Sequence, residues 1–227
     1  MFLPRALPWA CMRCPFRPFR AEEIPPFLEC AQRRRYKPNF SKTKFFFQYQ
    51  PKYDFNASNE NNSHKGEIMN ILVLYFSKGG NTKKLAEAIA KGVENVDGVQ
   101  AVLKKSDEVS KDDFINASGV IAGSPVYFGG MAAELKRIFD EFVGVRKKME
   151  GKIGAAFATS ADLSGGKETT MMSIIQALLI YGMVIVGDPM SATGHYGTSC
   201  VGAPDQKTEE NGQLLGQRVA ELAKKLN

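Results

Sequence analysis

From residue 69 onward the chain holds one cysteine, one histidine and three prolines, and no apolar run approaches membrane-spanning length. A lone thiol, Cys200, excludes a disulfide framework and an all-cysteine cluster in this part of the chain, and it points to a reducing, cytoplasmic setting. A spanning helix needs roughly 20 consecutive apolar residues, so none is expected. Charge of one sign is also missing. Of the 30 Lys+Arg and 24 Asp+Glu in the whole chain, 12 and 6 fall in residues 1–68, which leaves 18 of each sign beyond them. The formal charge of +6 would ordinarily suggest a nucleic-acid partner. With all of the excess confined to the first 68 residues, no nucleic-acid partner is expected for the rest.

The two parts differ in composition as well. Residues 1–68 hold 8 of the 11 Pro, 9 of the 15 Phe and 3 of the 4 Cys, whereas 20 of the 21 Gly follow them. The leader has no sustained helical or strand period and ends in the polar run Asn56–Ser63, which reads as linker. Pro4, Arg5 and Pro8 interrupt its start, so it lacks the apolar centre of a secretory signal. Glu22, Glu23 and Glu29 fit a transit peptide poorly. Cys11, Cys14 and Cys30 fall one ligand short of a four-ligand metal site, so no metal is expected. Arg33–Arg35 read as a solvated basic run. The codons of Lys65-Gly66-Glu67, just upstream of Met69, can spell AAGGAG, a bacterial ribosome-binding sequence. Residues 1–68 are therefore expected to be a basic leader that precedes the true start, with one domain over 69–227.

Within that domain, Asn70–Phe76 is a short, continuous, β-branched and aromatic run, the signature of a strand buried on both faces. Thr82–Val96 repeats its apolar residues at helical spacing up to Asp97-Gly98. Further strands are expected at 99–104, 119–123, 153–158 and 183–186. Helices are expected from Ser110 to Ala117, at 131–143, 168–181 and 208–226. Strands alternating with helices imply an α/β fold, a doubly wound parallel sheet with helices on both faces. In such sheets ligands bind beyond the carboxyl ends of the strands.

Three loops at those ends are unusual. Ser77-Lys-Gly-Gly-Asn-Thr82 joins two glycines to short polar side chains and a helix start. That is a cradle for one phosphate, although an ordinary helix start capped by Asn81 would read similarly. Ser124-Pro-Val-Tyr-Phe-Gly-Gly130 sets two aromatics on a sharp turn where a flat ring could stack, or where they could plug the core. Thr159–Gly166 is long, small and polar where a connection usually needs about 2–6 residues. The dinucleotide fingerprint G-x-G-x-x-G is missing, and Ser164-Gly-Gly-Lys-Glu168 fails the P-loop pattern, so ATP or GTP binding is not expected.

Taken in order, S-x-x-G-N-T, S-P-x-Y-F-G-G and the Thr159–Glu168 segment resemble the flavodoxin-like fold, a five-stranded parallel sheet of order 2-1-3-4-5. Within it they are most similar to the FMN-dependent NAD(P)H:quinone oxidoreductases once described as tryptophan-repressor-binding proteins. The resemblance implies that Ser77, Gly79, Gly80, Asn81 and Thr82 hold the FMN phosphate. It implies that Pro125, Val126, Tyr127, Phe128 and Gly129 flank the flavin ring, and that Thr159, Ser160, Ala161, Gly165 and Gly166 line its other edge and the ribityl chain. Tyr181 takes a place where the family often carries a histidine near the flavin. His195, in the glycine-rich segment Ala192–Gly202, could overhang the flavin of its own or a neighbouring subunit as proton donor or substrate contact. Only Lys105–Asp113 stands where quinone-reducing relatives carry an extended segment.

The expected activity passes electrons from NAD(P)H through FMN to a quinone or similar small-molecule acceptor, in a homo-oligomer, dimer or tetramer. The alternative is a flavodoxin-type electron carrier without a substrate of its own. The balance of 18 charges of each sign favours the enzyme, because dedicated flavodoxins are usually strongly acidic and steer toward basic partners.

Overall fold

The computed structural model describes residues 68–226, so the expectations for the leader lie outside the described residues. Strand β1 (Met69–Tyr75) leads into helix α1 (Asn81–Glu94), β2 (Val99–Lys105), α2 (Lys111–Asn116) and β3 (Ala117–Pro125). Helix α3 (Ala133–Glu141) follows, then a 3-10 segment (Val143–Lys148), β4 (Ile153–Ser160), α4 (Lys167–Ile180), β5 (Val184–Ile185), β6 (Thr198–Val201) and α5 (Gln206–Leu226). All pairings are parallel, in the order β2-β1-β3-β4-β5, with β6 also on β4.

The apolar run of β1 is explained by burial on both sides. Side chains alternate along a strand, so Leu72 and Leu74 enter one core with Phe114, Leu135, Phe139 and Ile174. Ile71, Val73 and Tyr75 enter the other core with Leu85, Ile89, Phe157 and Val219. Ile71 to Leu74 are fully buried, and each such side chain stabilises the fold by about 1.5–3 kcal/mol. Helix α5 lies against α1 at close range. A Cβ on Gly92 would sit 2.0 Å from Gln213 O, and one on Gly216 would sit 2.1 Å from Ile89 O, so backbone meets backbone where only glycine fits. The short α2 is held by a capping box. Asp113 N donates to Ser110 Oγ at 3.2 Å, and Ser110 N donates to Asp113 Oδ2 at 2.8 Å.

The fifth strand departs from the sequence expectation. Only Val184 and Ile185 pair, opposite Ile153 and Gly154. After Val186 N donates to Gly154 O, the chain leaves the sheet at Gly187-Asp-Pro189, where proline has no N–H for the ladder. It returns as β6, and Thr198–Val201 register with Phe157–Ser160. Four residues expected in an overhanging loop therefore extend the sheet to its carboxyl edge.

Candidate functional site

The strand order reverses between β1 and β3, and a cleft opens at their carboxyl ends, where ligands of such sheets bind. It encloses about 200 Å³, between Ser77, Lys78, Gly79, Asn81 and Thr82 of the first loop, Pro125, Val126 and Tyr127 of the second, Thr159, Ser160 and Ala161 of the third, and Gly202 beyond β6. Thus the three loops converge, and most of the residues expected from the sequence meet in one place. Gly80, Phe128, Gly129, Gly165 and Gly166 are not among the lining residues but shape the turns behind them. Lys78 and Gly202 were missed. Lys78 was legible as a cation within the glycine loop, whereas Gly202 reaches the cleft only through the pairing of β6.

Helix α1 begins without a side-chain cap. Gly80, rather than Asn81, occupies the cap position, at φ 91°, and Asn81 is the first helical residue. Gly80 N donates to Ser77 Oγ at 3.0 Å, which curls the loop, and the first intrahelical bond runs from Lys84 N to Gly80 O. The N–H groups of Asn81, Thr82 and Lys83 come before that bond and point out of the helix end, where the helix dipole favours an anion. A Cβ on Gly79 or Gly80 would meet nothing within 4 Å. The cradle is open on the side where an anion would enter.

The other loops are pinned to this one. Thr82 Oγ1 and Thr159 Oγ1 share a buried hydrogen bond of 2.8 Å, and Val126 N donates to Thr159 O at 2.8 Å. Fully buried Ser124 accepts from Ala132 N at 2.8 Å and donates to Pro125 O at 2.7 Å, so the second loop closes onto the start of α3. Tyr127 and Gly130 exchange two backbone bonds of 3.0 Å, which leaves Phe128 and Gly129 both at positive φ, 50° and 76°. Phe128 is fully exposed at this tip. A bulky residue in the left-handed region is costly, and here the paired Tyr127 and Gly130 backbone bonds hold it. In the third loop Ser160 Oγ donates to Asp162 O and Gly165 N does likewise. A Cβ on Gly166 would lie 3.2 Å from Gly129 Cα, so the second and third loops touch.

One sequence expectation needs correction. Tyr181 is not at the cleft. It caps the far end of α4, near the amino ends of the strands, where its neighbour Gly182 accepts a bond from Gly151 N. Its ring packs against Phe114 and Phe139, and its hydroxyl donates to Phe139 O at 2.7 Å. Burial pushes that phenol up to about 12, so it serves the core and is a poor proton donor. His195 is exposed between β5 and β6 and is not among the residues lining the cleft. Its carbonyl lies against Gly187, which fits the tight fold of that segment and keeps the ring away from the cleft of its own chain.

A larger groove, about 420 Å³, lies between α3 and α4 and is lined by Phe139, Val143, Ala177, Ile180 and others. It has neither the glycine loop nor the start of α1. No group of three or more His, Cys, Asp or Glu suited to a metal exists among the described residues, and no described helix is long and apolar enough to cross a membrane.

Residues 69–198 match the family of NADPH-dependent FMN reductases. The chain belongs to this family. It is 36% identical over 157 residues to a flavodoxin of Aquifex aeolicus, covering 66% of this chain and 85% of that protein. It is 32% identical over 188 residues to an NAD(P)H dehydrogenase (quinone) of Archaeoglobus fulgidus, covering 69% and 98%. The flavodoxin, WrbA-like protein from Agrobacterium tumefaciens superposes with a TM-score of 0.61 at 26% identity, over 70% of this chain and 99% of that one. The flavodoxin-like fold expected from the three loops is thereby established.

Proposed function

We propose that residues 69–227 form an FMN-binding oxidoreductase domain that takes electrons from NAD(P)H and delivers them to a quinone or similar small acceptor. The observation that carries this reading is the uncapped start of α1, opening into the same cleft as the aromatic second loop and the small third loop. The residues suit FMN. One terminal phosphate needs one cradle of N–H donors, which Gly79–Thr82 provide, and a flat ring needs two walls, which Pro125–Gly129 and Thr159–Ala161 provide. When bound, FMN would supply the redox chemistry itself. The chain's own part is to hold the phosphate with first-turn N–H groups, to fix the ring through loops tied at Thr82, Ser124 and Thr159, and to leave one side open. Exposed Phe128, Tyr127 and Leu163 offer apolar contact to an incoming ring.

The names of the relatives divide between quinone dehydrogenases and flavodoxins. Charge balance favours the enzyme over a carrier. Anaerobic mixing with NADH and NADPH decides between them. We expect prompt bleaching of the flavin, whereas a flavin that stays oxidised until dithionite is added would make the protein a carrier. We further infer a homo-oligomer formed through α4. That helix exposes Met172, Leu179 and Ile180, with Val143 lining the same groove as Ile180, and a second copy of the chain would bury this face.

A further inference from the structure

Lys167 opens α4 directly after the third loop, and its side chain turns back under that loop. The residue is 9% exposed, and its ammonium donates to Leu163 O at 3.2 Å. It takes part in none of the ion pairs found among the described residues, which join Lys83 to Glu87, Lys105 to Asp107, Lys136 to Asp140 and Arg137 to Glu141. The nearest acids in sequence, Asp162 and Glu168, are exposed. A buried ammonium with one carbonyl and no carboxylate is costly unless an anion completes it. The loop it holds through Leu163 begins at Thr159, Ser160 and Ala161, which line the cleft.

We propose that Lys167 sets the charge of the flavin site. Its buried ammonium, held under the third loop by the Leu163 carbonyl, stabilises the negative charge that two-electron reduction leaves on the bound flavin and so raises the flavin's reduction potential. The inference rests on the FMN reading of the cleft. A hydride carries two electrons and one proton; the nicotinamide donor leaves as its oxidised cation, and the flavin ring gains one negative charge. A fixed, buried cation favours that product without reorganising. It would equip this chain to accept hydride from a nicotinamide.

Three substitutions separate the charge from the hydrogen bond. Lys167→Gln keeps an N–H donor for Leu163 O and removes the charge, Lys167→Met removes both, and Lys167→Arg keeps both. In the FMN-loaded full chain, we expect Gln and Met to lower the affinity for reduced relative to oxidised FMN at least tenfold, a fall of about 30 mV in the two-electron potential. Arg should stay near wild type. Titration of oxidised FMN should give dissociation constants within a few-fold of wild type for Gln. A wild-type potential in Lys167→Gln would reduce Lys167 to a prop for Leu163 and overturn the inference. If Lys167→Met fails to fold, Lys167→Gln decides alone. A wild-type protein that takes up no FMN would instead overturn the reading of the cleft, and this inference with it.

Discussion

Gly80 and Tyr181 show how single residues divide the work between cleft and core. Gly80 sits at φ 91° with open space around it, so any substitution strains the backbone by about 1–2 kcal/mol, and a carboxylate there would also face the bound phosphate. Gly80→Asp should therefore raise the FMN dissociation constant more than tenfold, and Gly80→Ala should raise it less, as read by quenching of FMN fluorescence. Unchanged retention by Gly80→Asp would remove the phosphate from this loop. Tyr181→Phe should leave FMN binding intact but cost about 1–2 kcal/mol in urea unfolding, because the Phe139 carbonyl loses its buried donor. The same residue governs alkaline behaviour. Its folded pKa is raised from 10.0 to about 12, so its contribution is complete below pH 10 and disappears as pH rises toward 12. Cys200, raised from 9.0 to about 11, acts in the same direction from pH 9. Between pH 8 and pH 11 the wild type should lose more stability than Tyr181→Phe, and equal losses would contradict this assignment.

Among the elements, the contact of α1 with α5 depends most on one residue type. Gly92, Gly212 and Gly216 line the seam, and a methyl group at Gly216 would fall 2.1 Å from Ile89 O. Alanine would gain about 1 kcal/mol in helix propensity, but the clash is with backbone and cannot relax by a rotamer change. Gly216→Ala should thus lower stability by a net of about 1–3 kcal/mol, measured by urea unfolding; a neutral result would mean the helices can separate freely. The interrupted fifth strand carries a different lesson. β5 ends ahead of Gly187-Asp-Pro189, and Thr198–Val201 resembled loop because four residues between glycines show too little period to register as a strand. Their pairing with β4, some 40 residues away in sequence, is a long-range decision.

At the scale of the whole molecule, helix α4 presents apolar side chains to solvent, with Leu179 and Ile180 more than half exposed. If a second copy covers them, Ile180→Lys should shift the protein from oligomer to monomer in analytical ultracentrifugation without loss of FMN. A wild-type monomer at micromolar concentration would refute the inferred assembly. The excess charge of +6 lies in residues 1–68, and the rest of the chain holds 18 charges of each sign.

The sequence by itself determined the alternation of strand and helix, the two-faced burial of β1 and the chemistry of the three loops, because hydrophobic period, glycine and capping residues act within a few positions of one another. Only the tertiary structure decided that Tyr181 belongs to the core, that His195 stays out of its own chain's cleft, that Gly202 enters it, and that Lys167 is buried beneath the third loop. Each of those outcomes depends on which distant strand or helix end a residue meets, and a local pattern carries no record of that meeting.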